Sequence, residues 1–290
     1  MSSTLRVALA ASAVVLIAGA APIDAHAQQA PLPPSLVALD SPEGRRLLVT
    51  SDANDDFFHL ANQWVSQQLG SFCGVASSVM VLNALQLPAP SVSQWAPYNA
   101  FTQDNVFDGA AGNVLTSQMV SRGGMTVDQL GHFIEAHGGV QVRVVHASDT
   151  TLDAFRTLAI QNLRESRNYV VINYNRSGVG QEPMGHISPL GAYNAEADRF
   201  LLMDVARYKY PAVWVRAADL YAAMNTQDPA SRLSRGFVTV QYAPGVQARV
   251  GPRAKGGFPT FVYITLAGTF ALGAAIGSGV TAFVKRKKRA

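Results

Sequence analysis

Charged side chains are scarce in this 290-residue chain: Asp, Glu, Lys and Arg make up 14% of it, while 48% is hydrophobic. That scarcity excludes a disordered or polyelectrolyte chain. Cysteine is nearly absent, with Cys73 alone, which excludes an internal disulfide framework and a Cys-rich zinc site. Several chemical signatures are missing as well: no GxxxxGK[ST] phosphate loop, no HExxH, and no GxGxxG opening a helix after a strand. The net charge of +4 is unevenly placed, because Lys285-Arg286-Lys287-Lys288-Arg289 carries five positive charges and leaves the remainder slightly acidic. A nucleic-acid-binding body is therefore not expected.

The ends of the chain read as addresses rather than as fold. Arg6 precedes an uncharged apolar run from Val7 to Ala21, and Ala25-His26-Ala27 is a small-x-small cleavage pattern, so residues 1–27 are expected to be a signal peptide. Residues 28–41 form a Pro-rich spacer. A body spans 42–242, followed by a Gly-, Pro- and Arg-containing linker over 243–258. Residues 259–284 are expected to be a transmembrane helix. Nothing between Gly256 and Val284 is charged, and Phe261 to Val284 reaches about 36 Å as a helix, against about 30 Å of hydrocarbon. By the positive-inside rule the basic tail, 285–290, stays cytoplasmic. The expectation is a bacterial inner-membrane protein with a single span and a periplasmic body. Gly273 and Gly277 form a GxxxG pair that could bring two spans together as a homodimer.

The body shows helices first and strands later. Asp55 to Leu69 has helical apolar spacing at Phe58, Leu60, Trp64 and Val65. Gly74 to Leu85 is apolar on most sides and predicts a buried helix. Thr126 predicts an N-cap for a helix ending before Gly138-Gly139, and Thr150 to Glu165 is a further amphipathic stretch. Gln141–His146, Tyr169–Tyr174, His186–Tyr193, Arg199–Val205 and Phe237–Tyr242 are strand-like. This order predicts an α+β fold with a helical first half and an antiparallel sheet in the second.

Cys73 carries the chemical signal. In Ser71-Phe72-Cys73-Gly74-Val75-Ala76-Ser77 it sits where a loop enters the buried helix. The positive end of the helix dipole and unpaired N–H groups both favour a thiolate there, although a lone cysteine is as often a small apolar core residue. Gly74 is expected to let a substrate approach the backbone, and Gln67, six residues upstream, is placed to supply an amide donor to an oxyanion. A nucleophile needs an oriented base. His186 opens one strand and Asp204 lies near the end of the next. If Tyr193 pairs with Arg199 across a hairpin loop over 194–198, His186 faces Ala206 and Asp204 becomes its diagonal neighbour on the same face. A slip of one residue would separate them. With Cys73 they would form a Cys–His–Asp triad. His59, His132, His137 and His146 read as ordinary core or surface residues.

At these positions the chain resembles the phytochelatin synthase family. The matching stretches are Phe72-Cys73-Gly74-Val75-Ala76-Ser77 with Val81-Leu82-Asn83, then Gly185-His186-Ile187-Ser188-Pro189-Leu190-Gly191-Ala192-Tyr193-Asn194. Asp204-Val205-Ala206-Arg207-Tyr208-Lys209-Tyr210-Pro211 with Trp214 and Ser234-Arg235-Gly236-Phe237 complete them. The resemblance covers residues 42–242. It implies a papain-like cysteine peptidase fold, with Cys73 as nucleophile, His186 as base, Asp204 as its orienting acid and Gln67 in the oxyanion hole. It also implies that Arg235 binds the γ-glutamyl carboxylate. Arg207 and Lys209 are further cations for a small anionic substrate, Lys209 being the more easily explained as solvated charge.

The activity so implied is cleavage of the Cys–Gly bond of glutathione through a Cys73 thioester, releasing glycine. Plant members carry a Cys-rich C-terminal region that this chain lacks, so hydrolysis to γ-glutamylcysteine is expected to dominate over transpeptidation. No cofactor is expected for hydrolysis, and no metal site; a heavy-metal ion or metal-thiolate would serve transpeptidation. Two other readings remain at this point: a membrane-anchored peptidase of the bacteriocin-processing type, which shares a glutamine upstream of a Cys-Gly helix start, and a non-catalytic glutathione- or thiol-binding module.

Overall fold

A computed structural model describes residues 29–247. In chain order they form β1 (Val37–Ala38), α1 (Pro42–Val49), α2 (Asp55–Ala61), α3 (Cys73–Ala84), α4 (Ala111–Val114), α5 (Ser117–Gly123), α6 (Val127–Glu135), β2 (Val140–His146), α7 (Leu152–Leu163), β3 (Asn168–Asn175), β4 (Gly185–Asn194), β5 (Arg199–Leu202), β6 (Val213–Arg216), α8 (Ala217–Met224) and β7 (Gly236–Tyr242). The strands make one seven-stranded sheet in the order β1-β6-β5-β4-β3-β7-β2, with every pair antiparallel. The expected α+β class therefore holds.

Helices cover both faces of the sheet. Val171, Leu201 and Trp214 share a core with α3 and α6, while Ile172, Phe200 and Val215 share another with α7 and α8. Two-sided burial explains why β3 and β4 are apolar almost without alternation. It also explains why β6 escaped the sequence reading: a four-residue strand buried on both faces carries no period of two.

Local signals fix most helix ends. Thr126 forms a full capping box with Gln129 at the start of α6. Thr151 caps α7, and Ser41 with Pro42 starts α1. The helix expected over Asp55 to Leu69 stops at Ala61. Tertiary bonds take over beyond it: Trp64 Nε1 donates to Asp204 O at 3.2 Å and Gln67 N–H to Val205 O at 2.8 Å.

The membrane expectation is corrected. Among the described residues no helix is long and apolar enough to cross a membrane. The longest, α3 and α7, have 12 residues each, or about 18 Å against about 30 Å of hydrocarbon. The single-pass inner-membrane placement thus has no support in the described structure. The segments read as signal peptide (1–27), transmembrane helix (259–284, with its Gly273–Gly277 pair) and basic tail (285–290) lie outside the described residues.

One buried group makes the fold sensitive to pH. Asp56, in the first turn of α2, is fully buried, and neither carboxyl oxygen has a hydrogen-bond partner among the described residues. Burial, helped by the neighbouring Asp55 charge, pushes its carboxyl up to about 9. Unfolded, the same group ionises near pH 4, at about 3.9. Its cost to the fold is therefore nil below that value and grows as pH rises toward 9. The melting temperature of Asp56→Asn, taken relative to the parent, is expected to rise from about pH 5 to about pH 8. The same difference at both values would contradict this account.

Candidate active site

The site forms where the N-terminus of α3 meets the ends of β4 and β5. Cys73 is the first residue of α3, and the preceding Phe72 offers no side-chain cap, so the first helix N–H groups stay available near the thiol. Cys73, His186 and Asp204 are 6%, 2% and 0% exposed. His186 Nε2 lies 2.9 Å from Asp204 Oδ1, and the imidazole is near enough to the Cys73 thiol for the two to shift each other's protonation. With Nε2 engaged by the carboxylate, Nδ1 is the nitrogen left for sulfur.

The β4–β5 register that joins His186 to Asp204 differs from the expected one near the turn and matches it further on. Asn194 pairs with Arg199 and Tyr193 with Phe200, around a loop over 195–198 that ends on Asp198 at φ 47°. This is one residue away from the expected Tyr193–Arg199 pairing. The pairing then shifts at Gly191 to Leu190↔Leu202, and Met203 N–H donates to Pro189 O at 3.0 Å. Gly191 is the extra residue of a β-bulge, where a Cβ would come within 2.8 Å of Met203 Sδ. The bulge restores the register that sets Asp204 diagonally beside His186.

The electrostatics follow from burial and pairing. Burial alone would raise the Cys73 thiol. The polar and charge interaction with His186, aided by the backbone of Ile187 and Gly74, outweighs that and lowers it. Burial would lower His186, but the Asp204 charge and hydrogen bond, with the Cys73 interaction, raise it against an opposing effect of Arg176. Burial would raise Asp204; His186 and then Arg176 hold it well below the usual carboxylate range. The three shifts together favour a thiolate–imidazolium pair beside an ionised carboxylate.

Arg176 was not foreseen. It is wholly buried, with Nη2 2.9 Å from Asp204 Oδ1 and Nη1 2.7 Å from Asp204 Oδ2. Asp204 Oδ1 also accepts from Ala206 N–H at 2.8 Å. The signal that could have found it is positional. Tyr174 pairs with His186 across β3–β4, so Arg176 lies two residues past the partner of the imidazole.

The other expected residues are placed differently. Gln67 is buried beside the loop leading to Cys73, but its amide Nε2 donates to Leu69 O at 2.8 Å and Gly70 O at 2.9 Å. The same nitrogen also donates to Tyr208 Oη at 3.3 Å, so its hydrogens are already engaged rather than aimed at open space. Gly74 does not offer an open approach: a Cβ there would meet Met125 Sδ at 2.8 Å and Ile187 Cδ1 at 3.2 Å. Arg235 packs against the backbone beside the imidazole, since a Cβ on Gly185 would fall 2.8 Å from Arg235 Nη1. The same nitrogen bonds Asn173 Oδ1 at 3.1 Å and Asp228 Oδ2 at 3.2 Å. Arg207 faces elsewhere. Its guanidinium lies 4.7 Å from the Trp64 ring, on the wall of an open cleft of about 520 Å³. Lys209 is ion-paired with Glu182 at 2.6 Å.

The described region is thus an α+β domain whose buried helix presents a thiol to an imidazole and a carboxylate, the arrangement of a thiol nucleophile. The phytochelatin synthase family model matches residues 27–237, and the chain belongs to that family. It is 32% identical over 231 residues to glutathione gamma-glutamylcysteinyltransferase 3 of Lotus japonicus, covering 77% of this chain and 47% of that one. It is 35% identical over 214 residues to glutathione gamma-glutamylcysteinyltransferase 1 of Triticum aestivum, covering 72% and 41%. A Schizosaccharomyces pombe relative of the same name is 26% identical over 215 residues, 72% of this chain and 50% of that one. The chain spans about half the length of the curated relatives it matches.

Cys73 is the sole cysteine, so alkylation reports on it alone. Its reaction with iodoacetamide is expected to set in below the ordinary thiol range of about 8.5. In His186→Ala the onset is expected to move to higher pH, because the imidazolium no longer stabilises the thiolate. An unchanged onset would break the thiol–imidazole link.

Proposed function

We propose that the chain is a glutathione γ-glutamylcysteinyl transferase working through a Cys73 thioester. The observation that carries this reading is the meeting of Cys73, at the start of α3, with the bonded His186–Asp204 pair in a member of this family; the names of the relatives support the substrate. The Cys73 thiolate attacks the carbonyl carbon of the Cys–Gly amide. The oxyanion is received by the backbone N–H of Cys73 and by Gln67, whose amide must turn away from Leu69 O and Gly70 O. The C–N bond breaks, His186 gives its proton to the departing glycine amine, and γ-glutamylcysteine remains on sulfur. Water or the amine of a second glutathione then attacks the thioester. That nucleophile's proton passes to His186 and the thiolate is regenerated.

The γ-glutamyl head carries one ammonium and one carboxylate. Arg235, packed against the Gly185 backbone, and its buried partner Asp228 offer the complementary charges. Arg207, turned toward Trp64, has no step in this scheme. The reaction balances without a metal ion; a metal-thiolate form of glutathione enters it as a substrate carrying the acceptor amine.

Incubation with glutathione, with products identified by mass, is expected to show free glycine together with γ-glutamylcysteine or its peptide oligomers. Cys73→Ser is expected to release none, since a hydroxyl is the weaker nucleophile. Gln67→Ala should cost about 10²–10³-fold in turnover. Asp204→Asn should cost about 10⁴-fold, as in a serine triad that loses its tautomer control. Glycine release by Cys73→Ser at the parent's rate would sink the reading.

A further inference from the structure

Arg176 follows directly on β3 and is 0% exposed. A guanidinium is expensive to bury unless its charge is matched, and here an ionised carboxylate faces it, while Nε has no hydrogen-bond partner among the described residues. Nη2 donates a hydrogen bond to Asp204 Oδ1 at 2.9 Å, and Nη1 lies 2.7 Å from Oδ2 as an ion-pair contact, Oδ2 having no hydrogen-bond partner among the described residues. Nη1 is steadied further by Gln181 Oε1, and the Tyr210 ring centre lies 5.0 Å from Cζ. The backbone N–H of Arg176 donates to Met184 O at 2.8 Å, two residues before His186. Side chain and main chain therefore grip both partners of the His186–Asp204 bond.

We propose that Arg176 is a positioning residue for the triad: its hydrogen bond to Oδ1 and its ion-pair contact with Oδ2 hold the Asp204 carboxylate so that Oδ1 meets His186, and its charge offsets that of the carboxylate so that the imidazole can pass its proton on. This rests on the reading that Cys73, His186 and Asp204 act together, and does not depend on glutathione being the substrate.

The groups that face His186 are Asp204, Arg176, Cys73 and the edge of the Tyr174 ring, 5.8 Å away between centres. Those that face Arg176 are Asp204, Tyr174, Tyr210 and Cys73. Within this set Arg176 is the one permanent cation. It repels a proton on His186 and attracts a charge on Cys73. Removing that charge makes the thiol harder to ionise and the imidazolium slower to give up its proton, so both limbs of a bell-shaped pH profile move upward. A lysine would keep the charge and lose the fork, since an ammonium cannot span two carboxylate oxygens in the guanidinium's plane.

The test uses the full chain as parent, Arg176→Gln and Arg176→Lys, each checked by thermal melting. Iodoacetamide alkylation of Cys73 against pH is one readout and kcat for glycine release from glutathione the other. In Arg176→Gln the alkylation onset is expected to rise by about one pH unit or more. In Arg176→Lys the onset should match the parent while kcat falls about tenfold or more. A folded Arg176→Gln with the parent's onset overturns the proposal. Should Arg176→Gln fail to fold, Arg176→Lys decides, and parental kcat there overturns it. If the parent itself releases no glycine, the glutathione reading fails and the alkylation onset still decides the role of Arg176.

Discussion

The 2.9 Å contact between His186 and Asp204 is the constraint that the rest of the site obeys. Both groups are buried, so neither can be left unmatched without a cost of several kcal/mol. Meeting that requirement shapes the surrounding chain. It calls for the β4–β5 pairing with its bulge at Gly191, for the Arg176 guanidinium against both oxygens of the carboxylate, and for the Ala206 N–H on Oδ1. Trp64 and Gln67 are held by the backbone of the same turn, through Asp204 O and Val205 O. That explains why the chain leaves helical geometry after Ala61.

Delivery of the thiol is a separate problem with a separate solution. Helix α3 is buried from Cys73 through Leu82, and its place is fixed by packing rather than by a polar face. Met125 and Ile187 fill the space a side chain on Gly74 would need, and Ser77 Oγ donates to Ile187 O at 3.2 Å. The residue after His186 thus pins the helix that carries Cys73. Sulfur and imidazole are set against each other by a rigid core contact, which is the kind of support that precise geometry at a reactive pair requires.

Much of this was legible in the sequence where local physics decides. The N-cap at Thr126, the continuously apolar run after Cys73 and the β4–β5 hairpin all declared themselves. The hairpin was misplaced by one residue at its turn, because four loop residues and a positive φ at Asp198 are not distinguishable by pattern from a five-residue loop. The bulge at Gly191 compensated, so His186 and Asp204 met as expected. Arg176 was not legible: an arginine in Asn175-Arg176-Ser177-Gly178 has the composition of a solvated turn, and only the β3–β4 register brings it to Asp204. The burial of Asp56 was not legible either, since an acid in a first helical turn ordinarily faces water. Gln67 was placed beside the site by its spacing from Cys73, but spacing could not show that nearby carbonyls already hold its amide.

The central claim is that Cys73 becomes acylated when glutathione loses glycine. Its most direct test is mass spectrometry of the intact chain, quenched in acid during turnover and then digested. The account predicts an adduct of glutathione less glycine on the peptide containing Cys73, stable to a phosphine reductant and discharged by hydroxylamine as a thioester should be. An adduct of whole glutathione that the reductant removes, or glycine release with Cys73 unmodified throughout, would contradict it.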